Sequence, residues 1–471
     1  MLYDNFTMQT KRRLLIKIAQ MLREGTLVSQ VASIPIEECP RDAFSFRCCV
    51  HKDRYIMKHK IASILGFEIE SEEIDLIHLS EFATRALARQ GINKKDYSVI
   101  HEACSACTKS QYAVTNMCRG CAARPCIMNC PKGAISSLDG KAHIDPDKCV
   151  QCGMCLKACP YHAIVFTPVP CADICPVHAI SQKEDGTRFI DLEKCIHCGR
   201  CMQVCPFGAI MERSHIVDIA LALNDPALKV VAIPAPSICG QFKATTGQIL
   251  SAIRQIGFDE VLEAALGAEE TARHEAAELK TKMEEGQPFM TSSCCPAYTE
   301  WVRKHAPELQ PYVSETRSPM IYAARIAREK FPGAVVVFIG PCLAKRFEAE
   351  QSGDVDYVMS FEELGAFMVA GGVDPQRCEA ESLDDAVTSY GRGFAQAGGV
   401  RVAVDNGVQN AYDTASFDGL DKKTQAQLRA LVQAPVARFV EVMSCEGGCI
   451  NGPCSLEPLS SARRQLKKAL K

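Results

Sequence analysis

Tryptophan, long apolar runs and net charge are all scarce in this chain. One tryptophan occurs in 471 residues, and aromatic side chains make up 7% of the total. No apolar run is long enough to span a bilayer, so we predict no membrane contact. The 53 lysines and arginines nearly balance the 56 aspartates and glutamates, which argues against a nucleic-acid-binding surface. The length favours roughly two to four domains.

Cysteine, by contrast, is abundant, and much of it stands in Cys-x-x-Cys runs. The chain has 27 cysteines. In a short secreted protein this would indicate disulfides, but in a long chain it favours metal or iron–sulfur ligation. Lys17, Gln20 and Arg23 interrupt the apolar run that follows Arg12 and Arg13, so we predict an amphipathic helix and no signal peptide. We therefore expect a cytoplasmic protein.

Residues 1–100 predict a helical N-terminal domain of unknown role. Apolar residues recur at helical spacing from Leu14 to Leu22, and Gly25 is a plausible C-terminal cap. A second helix is predicted over Arg54–Leu65. Four potential metal ligands lie between the two helices, although buried cysteines and a loop histidine are the favoured interpretation: Cys39, Cys48, Cys49 and His51.

Residues 101–165 contain two cysteine runs that each end in Cys-Pro. The pattern resembles a bacterial two-cluster ferredoxin, with two extra residues in the first run. In such ferredoxins the fourth cysteine of each run ligates the other cluster. The resemblance therefore implies one 4Fe–4S cluster on Cys118, Cys121, Cys126 and Cys159, and another on Cys149, Cys152, Cys155 and Cys130. A structural zinc site is the weaker alternative.

Residues 166–212 resemble a second, degenerate ferredoxin-like domain. By the same crossover rule, a third cluster is expected on Cys175, Cys195, Cys198 and Cys201. The first run of this repeat has lost two cysteines, which leaves Cys171 and Cys205 without partners. Cys104 and Cys107 could replace the lost pair and complete a fourth cluster. The alternative is that these four cysteines are vestigial.

Three further motifs lie within residues 213–456, for which we predict an α/β catalytic domain. They are Thr291-Ser-Ser-Cys-Cys-Pro-Ala-Tyr298, Gly340-Pro-Cys-Leu-Ala-Lys345 and Glu441-Val-Met-Ser-Cys-Glu-Gly-Gly-Cys449. Together and in this order they resemble the signature set of iron-only (FeFe) hydrogenases. The resemblance implies two lobes around a 4Fe–4S cubane joined to a two-iron unit with CO, cyanide and dithiolate ligands. It assigns the cubane ligands to Cys295, Cys342, Cys445 and Cys449, with Cys449 as the bridging residue.

Short apolar runs at 229–233, 334–339 and 401–404 predict buried parallel strands in this domain. Helices are predicted at 249–256 and 265–283. The second motif follows its strand directly, where α/β sites usually lie. Residues 457–471 predict a basic C-terminal helix.

The resemblance also implies a proton path. It assigns proton transfer to Cys294, next to Glu278, with Glu275 further out and Ser318 between the two carboxylates. An ordinary solvated helix is the alternative for the two glutamates. The family also implies other pocket residues. Lys345 and Ser237 would donate hydrogen bonds to the cyanide ligands, Met443 would lie beside the bridging carbonyl, and Phe394 is a weaker match to a pocket phenylalanine.

Three departures from the family pattern resemble a divergent monomeric subgroup. They are Gly340, Tyr298 and the segment Gly452-Pro-Cys454. The leading functional prediction is a ferredoxin-linked hydrogenase that also requires hydrogenase maturases. A hydrogen sensor and a hydrogenase-like iron–sulfur assembly or scaffold protein are the alternatives.

Overall fold

The protein is described here by a computed structural model that covers residues 5–42, 44–70, 72–89, 97–105, 107, 111–184 and 186–470. Among these residues, no helix combines the length and the apolar character that crossing a bilayer requires.

Helices make up the N-terminal segment. Leu14, Leu15 and Ile18 lie in a core that these helices share with residues 97–104, 169–180 and 209–220, so the segment has no separate core, and Gly25 caps the first helix with a φ of 70°. The second predicted helix begins at Val50, four residues earlier than expected. The bounds are α1 (Phe6–Glu24), α2 (Leu27–Gln30), α3 (Ile34–Glu38), α4 (Val50–Ile64) and α5 (Leu79–Ala88). The four potential metal ligands of this domain do not converge, since no three of their ligand atoms lie within 4.8 Å of one another.

A buried ion-pair network attaches α1 to the rest of the molecule. The ammonium of Lys11 donates to Glu212 and, at 2.6 Å, to Glu362, while Arg12 donates to Glu362 at 3.0 Å. Burial by itself lowers the pKa of Lys11, but the two carboxylates outweigh it and hold that pKa well above its usual value. Cys454 lies beside both carboxylates. The Lys11 ammonium is already bonded to those carboxylates, so we assign no metal to them.

Antiparallel strand pairs and short helices alternate through residues 97–212. β2 (Gln111–Val114) pairs with β5 (Ile164–Thr167), and β3 (Ile135–Leu138) pairs with β4 (Lys141–Ile144). Likewise, β1 (Tyr97–Val99) pairs with β8 (Ile210–Glu212), and β6 (Ile180–Gln182) pairs with β7 (Arg188–Ile190). The second cysteine-rich repeat therefore pairs its last strand with β1, which precedes the first repeat in the chain. The elements are β1 (Tyr97–Val99), α6 (His101–Cys104), β2 (Gln111–Val114), α7 (Pro125–Met128), β3 (Ile135–Leu138), β4 (Lys141–Ile144), α8 (Met154–Ala158), β5 (Ile164–Thr167), α9 (Pro170–Ile174), β6 (Ile180–Gln182), β7 (Arg188–Ile190), α10 (Arg200–Val204) and β8 (Ile210–Glu212).

All four Cys-Pro segments of this region close in the same way. In each, the backbone N–H four residues after the cysteine donates to its sulfur, at 3.2 to 3.4 Å. The degenerate repeat thus keeps the local geometry of the intact one. The donors are Ala134, Ala163, Ala179 and Ala209.

Two parallel sheets and the helices around them form the remainder, which agrees with the α/β prediction. Their strand orders are β10-β9-β12-β13 and β11-β15-β14. The elements are α11 (Ile216–Asn224), β9 (Val230–Pro234), α12 (Thr246–Gln255), β10 (Glu260–Val261), α13 (Ala264–Glu284), β11 (Met290–Thr291), α14 (Pro296–His305), α15 (Pro319–Lys330), β12 (Val335–Ile339), α16 (Ala344–Ser352), β13 (Tyr357–Met359), α17 (Phe361–Gly371), α18 (Ser389–Gly393), α19 (Gly399–Gly407), β14 (Thr414–Asp418), α20 (Lys422–Ala430), β15 (Phe439–Met443) and α21 (Leu459–Ala469).

The predicted strand at 401–404 is wrong, because these residues lie within helix α19. Val400, Ala403 and Val404 are buried at helical spacing, while Val402 is 45% exposed. A short apolar run cannot by itself distinguish a strand from a helix. The predicted C-terminal helix is present as α21, and Lys471 lies outside the described residues.

Candidate metal centre

The cysteines of each signature motif lie just beyond the end of a parallel strand. Those of the first motif follow β11 and those of the third follow β15, which are paired in one sheet, while that of the second follows β12 in the other sheet. Ser237 follows β9, the neighbour of β12. Carboxyl ends of parallel strands lie at one edge of a sheet, so this topology brings the motifs together.

The third motif forms a tight turn between its two cysteines. Gly447 and Gly448 have φ values of 86° and 87°. A Cβ on Gly448 would lie 2.5 Å from the backbone nitrogen of Ala397. Glycine is therefore required here by both conformation and close packing. The turn carries Cys445 and Cys449 at its two ends.

The four predicted cubane ligands are close enough to affect one another's ionisation. Burial and the nearby sulfurs of Cys295 and Cys449 raise the pKa of Cys342 to about 12, and burial raises the pKa of Cys449 to about 11. Burial, with Cys342 and Cys295 adding to it, raises the pKa of Cys445 well above its usual range. Buried thiolates need positive charge nearby, and iron would supply it.

A cleft of about 550 Å³, part of it open to solvent, adjoins two of these cysteines, Cys342 and Cys449, and is lined by the other predicted pocket residues. Ser237 is fully buried and its hydroxyl has no hydrogen-bond partner among the described residues. The Lys345 ammonium donates to the Cys294 carbonyl at 3.3 Å and to Glu348 at 2.6 Å. Met443 and Phe394 lie on the same wall. The cleft thus presents a sulfur, a cation and an unpaired hydroxyl to anything bound there.

Cys294 lies on the wall of this cleft, and the glutamate nearest to it is Glu275. Burial, with Glu275 as the next contributor, raises the pKa of the Cys294 thiol well above its usual range. Glu275 is fully buried, and its Oε1 accepts the backbone N–H of Ser293 at 3.0 Å. The predicted order of the glutamates, with Glu278 next to Cys294, is therefore wrong. On α13, Glu275 is the inner carboxylate and Glu278 the outer one.

The two carboxylates have pKa values shifted in opposite directions. Burial raises the pKa of Glu275 to about 8. Burial also acts to raise the pKa of Glu278, but Lys282 and donors from Ser314 and Thr316 outweigh it, so the net shift is downward. At neutral pH the inner carboxyl group therefore holds a proton and the outer one is ionised. Such a difference between the pKa values of two neighbouring groups is typical of acid–base pairs.

Ser318 does not bridge the glutamates as predicted. Its buried hydroxyl has no hydrogen-bond partner among the described residues, and neither has Oε2 of Glu275. Two other residues contact the carboxylates instead. The Ser293 hydroxyl lies 3.4 Å from Glu275 and donates to the Thr316 carbonyl at 2.6 Å, an acceptor that passes no proton on. The hydroxyl of Thr316 then donates to Glu278 at 2.9 Å. The sequence reasoning missed both residues.

Two signals could have drawn attention to the missed residues. Ser293 precedes Cys294 within the first motif, and Thr316 lies two residues before Ser318.

Glu441, which opens the third motif, was also given no role. It accepts backbone N–H groups of Gly398 at 2.7 Å and Arg401 at 2.8 Å, and burial raises its pKa to about 7.

The first two cysteine sets each enclose a small cleft. One cleft is lined by Cys118, Cys121, Cys126 and Cys159, and the other by Cys130, Cys149, Cys152 and Cys155. Each set combines three cysteines of one run with the last cysteine of the other. This is the grouping that the crossover rule assigned.

The other two sets are recognised by their electrostatic interactions. Burial raises the pKa of Cys201 well above its usual range, and the nearby sulfurs of Cys198, Cys195 and Cys175 raise it further. These four cysteines are the third predicted set. Burial raises the pKa of Cys171 to about 12, with Cys205, Cys104 and Cys107 as the next contributors, which are the members of the fourth. The sulfur of Cys171 also contributes to the raised pKa of Cys201, so the third and fourth sets are neighbours.

The third set borders the cubane ligands. Cys198, Cys295 and Cys342 pack against the same apolar core. Gln203, in the helix after this set, donates to the Gly452 carbonyl at 3.3 Å, and Arg200 donates to the Ser444 carbonyl. These contacts join α10 directly to the third motif.

Comparison with known protein families agrees with the site. Residues 228–453 match the C-terminal domain of the iron-only hydrogenase large subunit. Residues 165–216 match an LdpA Fe–S cluster-binding domain, and residues 141–164 match a 4Fe–4S binding domain.

Similar curated proteins include hydrogenases and an electron carrier. The chain is 28% identical over 302 residues to iron hydrogenase 1 of Clostridium pasteurianum, which covers 52% of this chain and 53% of that protein. It is 28% identical to the periplasmic [Fe] hydrogenase large subunit of Nitratidesulfovibrio vulgaris, covering 70% of this chain and 90% of the relative. A 59-residue segment, 12% of the chain, is 41% identical to the electron transport protein HydN of Escherichia coli and covers 34% of it.

The chain thus spans about half the length of the first of these relatives. A solved structure of a variant of [FeFe]-hydrogenase HydA1 from Chlamydomonas reinhardtii aligns with a TM-score of 0.43 at 20% identity, over 54% of this chain and 88% of that one.

Proposed function

We propose that this chain, an iron-only hydrogenase-like protein by the matches just described, catalyses the reversible reaction 2 H⁺ + 2 e⁻ ⇌ H₂ with electrons exchanged through a ferredoxin. The observation that carries the proposal is the convergence of three separated motifs on one cleft whose wall includes the buried Cys294 thiol, with the protonatable carboxylate of Glu275 close to that thiol. The catalytic region would be two lobes, one around each parallel sheet, with the cofactor between them.

The donor set fits the cofactor that the family implies. Cys295, Cys342, Cys445 and Cys449 would hold a cubane, and Ser237 and Lys345 would donate hydrogen bonds to ligands of the adjoining two-iron unit. The unpaired, fully buried Ser237 hydroxyl supports this, because a buried donor without a partner is costly. When bound, the two-iron unit would supply the site at which dihydrogen is formed or split.

The chain's own residues would deliver the protons. Cys294 would exchange a proton with the cleft, and Glu275 would return one to Cys294. Ser293 and Thr316 would position the inner and outer carboxylates, and Glu278 would exchange protons with solvent. The Glu275 Oε2 and Ser318 Oγ atoms are buried without protein partners, so we infer that a buried water completes this path.

Electrons would pass along the cysteine sets in the order of their contacts. The first two sets, within 111–167, would receive them from the carrier. The fourth and third sets would follow, since Cys171 neighbours Cys201 and Cys198 packs in the same core as Cys342. We propose a cytoplasmic location, because so many thiols kept as ligands suit a reducing compartment. We also propose that the chain acts as a monomer after loading by maturases.

A hydrogen sensor is the second candidate, and the Ser318 geometry is the observation that favours it. A sensor needs the same ligand set but little turnover, and an interrupted proton path would give low turnover. We prefer the hydrogenase because Ser293 and Thr316 position the inner and outer carboxylates, and the proposed buried water would complete the path between them.

The test is to produce the chain together with hydrogenase maturases and measure infrared spectra and hydrogen evolution on the same sample. We expect bands of metal-bound CO and cyanide together with turnover from reduced ferredoxin. Such bands with negligible turnover would favour the sensor. A fully iron-loaded protein without these bands would contradict both candidates and favour a scaffold.

A further inference from the structure

Two adjacent cysteines, Cys48 and Cys49, lie at the start of helix α4 and belong to none of the proposed metal sites. The sequence favoured buried cysteines here, but both are exposed. The Cys48 thiol donates to the Cys49 sulfur at 3.9 Å. Of the 27 cysteines, these two are the ones that are exposed and stand outside every predicted ligand set. A reagent in solution can therefore reach them without displacing iron.

Cys49 has the surroundings of a reactive thiol. It is the N-cap residue of α4, which runs from Val50 to Ile64. The nearby backbone N–H of Lys52 is the largest cause of a lowered pKa of the Cys49 thiol, and the Cys48 thiol acts in the same direction. A thiol at the N-terminus of a helix is more readily ionised, and the thiolate is the form that attacks other sulfurs.

Neighbouring residues hold this pair of cysteines in place. Asp53 accepts the Ser45 hydroxyl at 2.6 Å and the backbone N–H of Phe46 at 3.0 Å, which fastens the preceding segment to α4. Arg47 donates to the Ala103 carbonyl at 3.2 Å. The two sulfurs therefore lie side by side on a fixed turn before any reaction, and this favours a reaction that joins them.

A disulfide between consecutive residues would be easy to reverse. Consecutive Cα atoms are about 3.8 Å apart, whereas the Cα atoms of disulfide-bonded residues usually lie about 4.4 to 6.8 Å apart. So short a separation strains the ring and makes the bond easier to reduce. In a reducing compartment, exposed and strained disulfides are typically catalytic or redox-sensing, because the thiols there keep structural ones rare.

We propose that Cys48 and Cys49 form a reversible dithiol–disulfide couple whose substrate is a small-molecule disulfide. The Cys49 thiolate attacks one sulfur of the incoming disulfide, which breaks its S–S bond and releases the first thiol. Cys48 then attacks the Cys49 sulfur of the mixed disulfide and releases the second thiol. Two electrons pass from the pair to the incoming disulfide, and the two protons of the pair end on the released thiols.

This reaction goes beyond the hydrogenase function and uses no residue of the candidate metal centre. The probe is glutathione disulfide, applied without oxygen to the full chain with its iron–sulfur centres. Cleavage after Arg47 and Lys52 gives a peptide, residues 48–52, that contains both cysteines and no others. Its mass distinguishes the dithiol, the disulfide, which lacks two hydrogen atoms, and a glutathione adduct. The assay needs neither the two-iron unit nor turnover, so it can fail independently of the proposed function.

In the unmodified chain, we expect the disulfide form of this peptide, and we expect excess reduced glutathione to restore the dithiol. A peptide that stays a dithiol would overturn the proposal, and so would an adduct that persists. A disulfide that reduced glutathione leaves intact would contradict the reversible couple. Cys378→Ser, which replaces a buried cysteine, is the control variant and should react as the unmodified chain does.

The two single variants separate the roles of the cysteines. Cys48→Ser should stop at the glutathione adduct on Cys49, because no second thiol is present to displace it. Cys49→Ser should form its adduct on Cys48 at least about tenfold more slowly, because Cys48 is not the residue that caps the helix. Equal rates in the two variants would overturn the assignment of Cys49 as the attacking residue.

Discussion

The cysteine-rich region at 97–212 and the acidic region around Cys294 differ in how well a sequence pattern describes them. In the first, three sets of cysteines lie together in the groups assigned by the crossover rule, and the four cysteines that the rule left over also lie near one another. In the second, the two glutamates lie in the opposite order, and Ser318 bonds to neither. Cysteine spacing is a local property of a short loop, whereas a proton path depends on side chains from several elements meeting.

The two regions also differ in the charge that they bury. The cysteine-rich region places thiols where iron would neutralise them. The acidic region buries Glu275 with one oxygen unpaired, which favours a neutral carboxyl group. The four predictions below test this contrast, from the largest expected effect to the smallest.

The largest effect should come from Cys294→Ala. It removes the thiol nearest the cleft but no predicted iron ligand, so we expect hydrogen evolution to fall by about 10² to 10⁴ with CO and cyanide infrared bands unchanged. Cys294→Asp should keep part of the activity, because a carboxylate also carries protons. Cys378→Ala, a buried cysteine in a different core, is the control. Full turnover in Cys294→Ala that carries its complete cofactor would mean that Cys294 and the nearby glutamates take no part in proton transfer.

The order of the glutamates predicts unequal losses. Glu275→Gln, at the inner position, should reduce turnover by about 10²-fold, and Glu278→Gln by about tenfold or less, because solvent can partly replace an outer carboxylate. Rates measured with the same reduced ferredoxin decide the question. A larger loss in Glu278→Gln would restore the order that the sequence suggested.

Iron content tests the fourth cysteine set. The double variant Cys104→Ser, Cys107→Ser should lose about four iron atoms per chain, since two of four ligands are gone. Cys48→Ser, Cys49→Ser replaces an exposed cysteine pair as the matched control and should lose none. Equal iron content in both variants would mean that the fourth set is vestigial.

The smallest effect should be on stability as pH changes. The pKa of Glu275 is about 8 in the folded protein, compared with an ordinary value of 4.5, so its proton is held more tightly after folding. Its contribution to stability is present below pH 4.5 and is lost as the pH rises through about 8. Glu275→Gln should therefore gain stability relative to the unmodified chain as the pH rises from about 4.5 to about 8, by a few degrees in melting temperature.

Melting temperatures of the two proteins at these pH values provide the measurement. Glu278→Gln is the opposite case, because its carboxyl pKa is lowered on folding. Its stability relative to the unmodified chain should therefore not rise over the same range. A constant difference between Glu275→Gln and the unmodified chain would mean that Glu275 does not titrate there.

Several features could be predicted from the sequence because neighbours along the chain determine them. The Cys-Pro segments are examples, since each sulfur accepts a hydrogen bond from a residue only four positions away. The first helix is another, because its apolar spacing and Gly25 are both local. The three motifs near β11, β12 and β15 could be recognised for the same reason.

Only the tertiary structure decided the rest. The run at 401–404 became a helix because Val400, Ala403 and Val404 face a core that the sequence does not display. Glu275 became the inner carboxylate because α13 packs against the segment that holds Ser293 and Thr316. The spacing of residues along the chain determines which side chains a loop can offer to a cofactor. The burial and the hydrogen-bond pairing of a side chain depend instead on all the elements that pack around it.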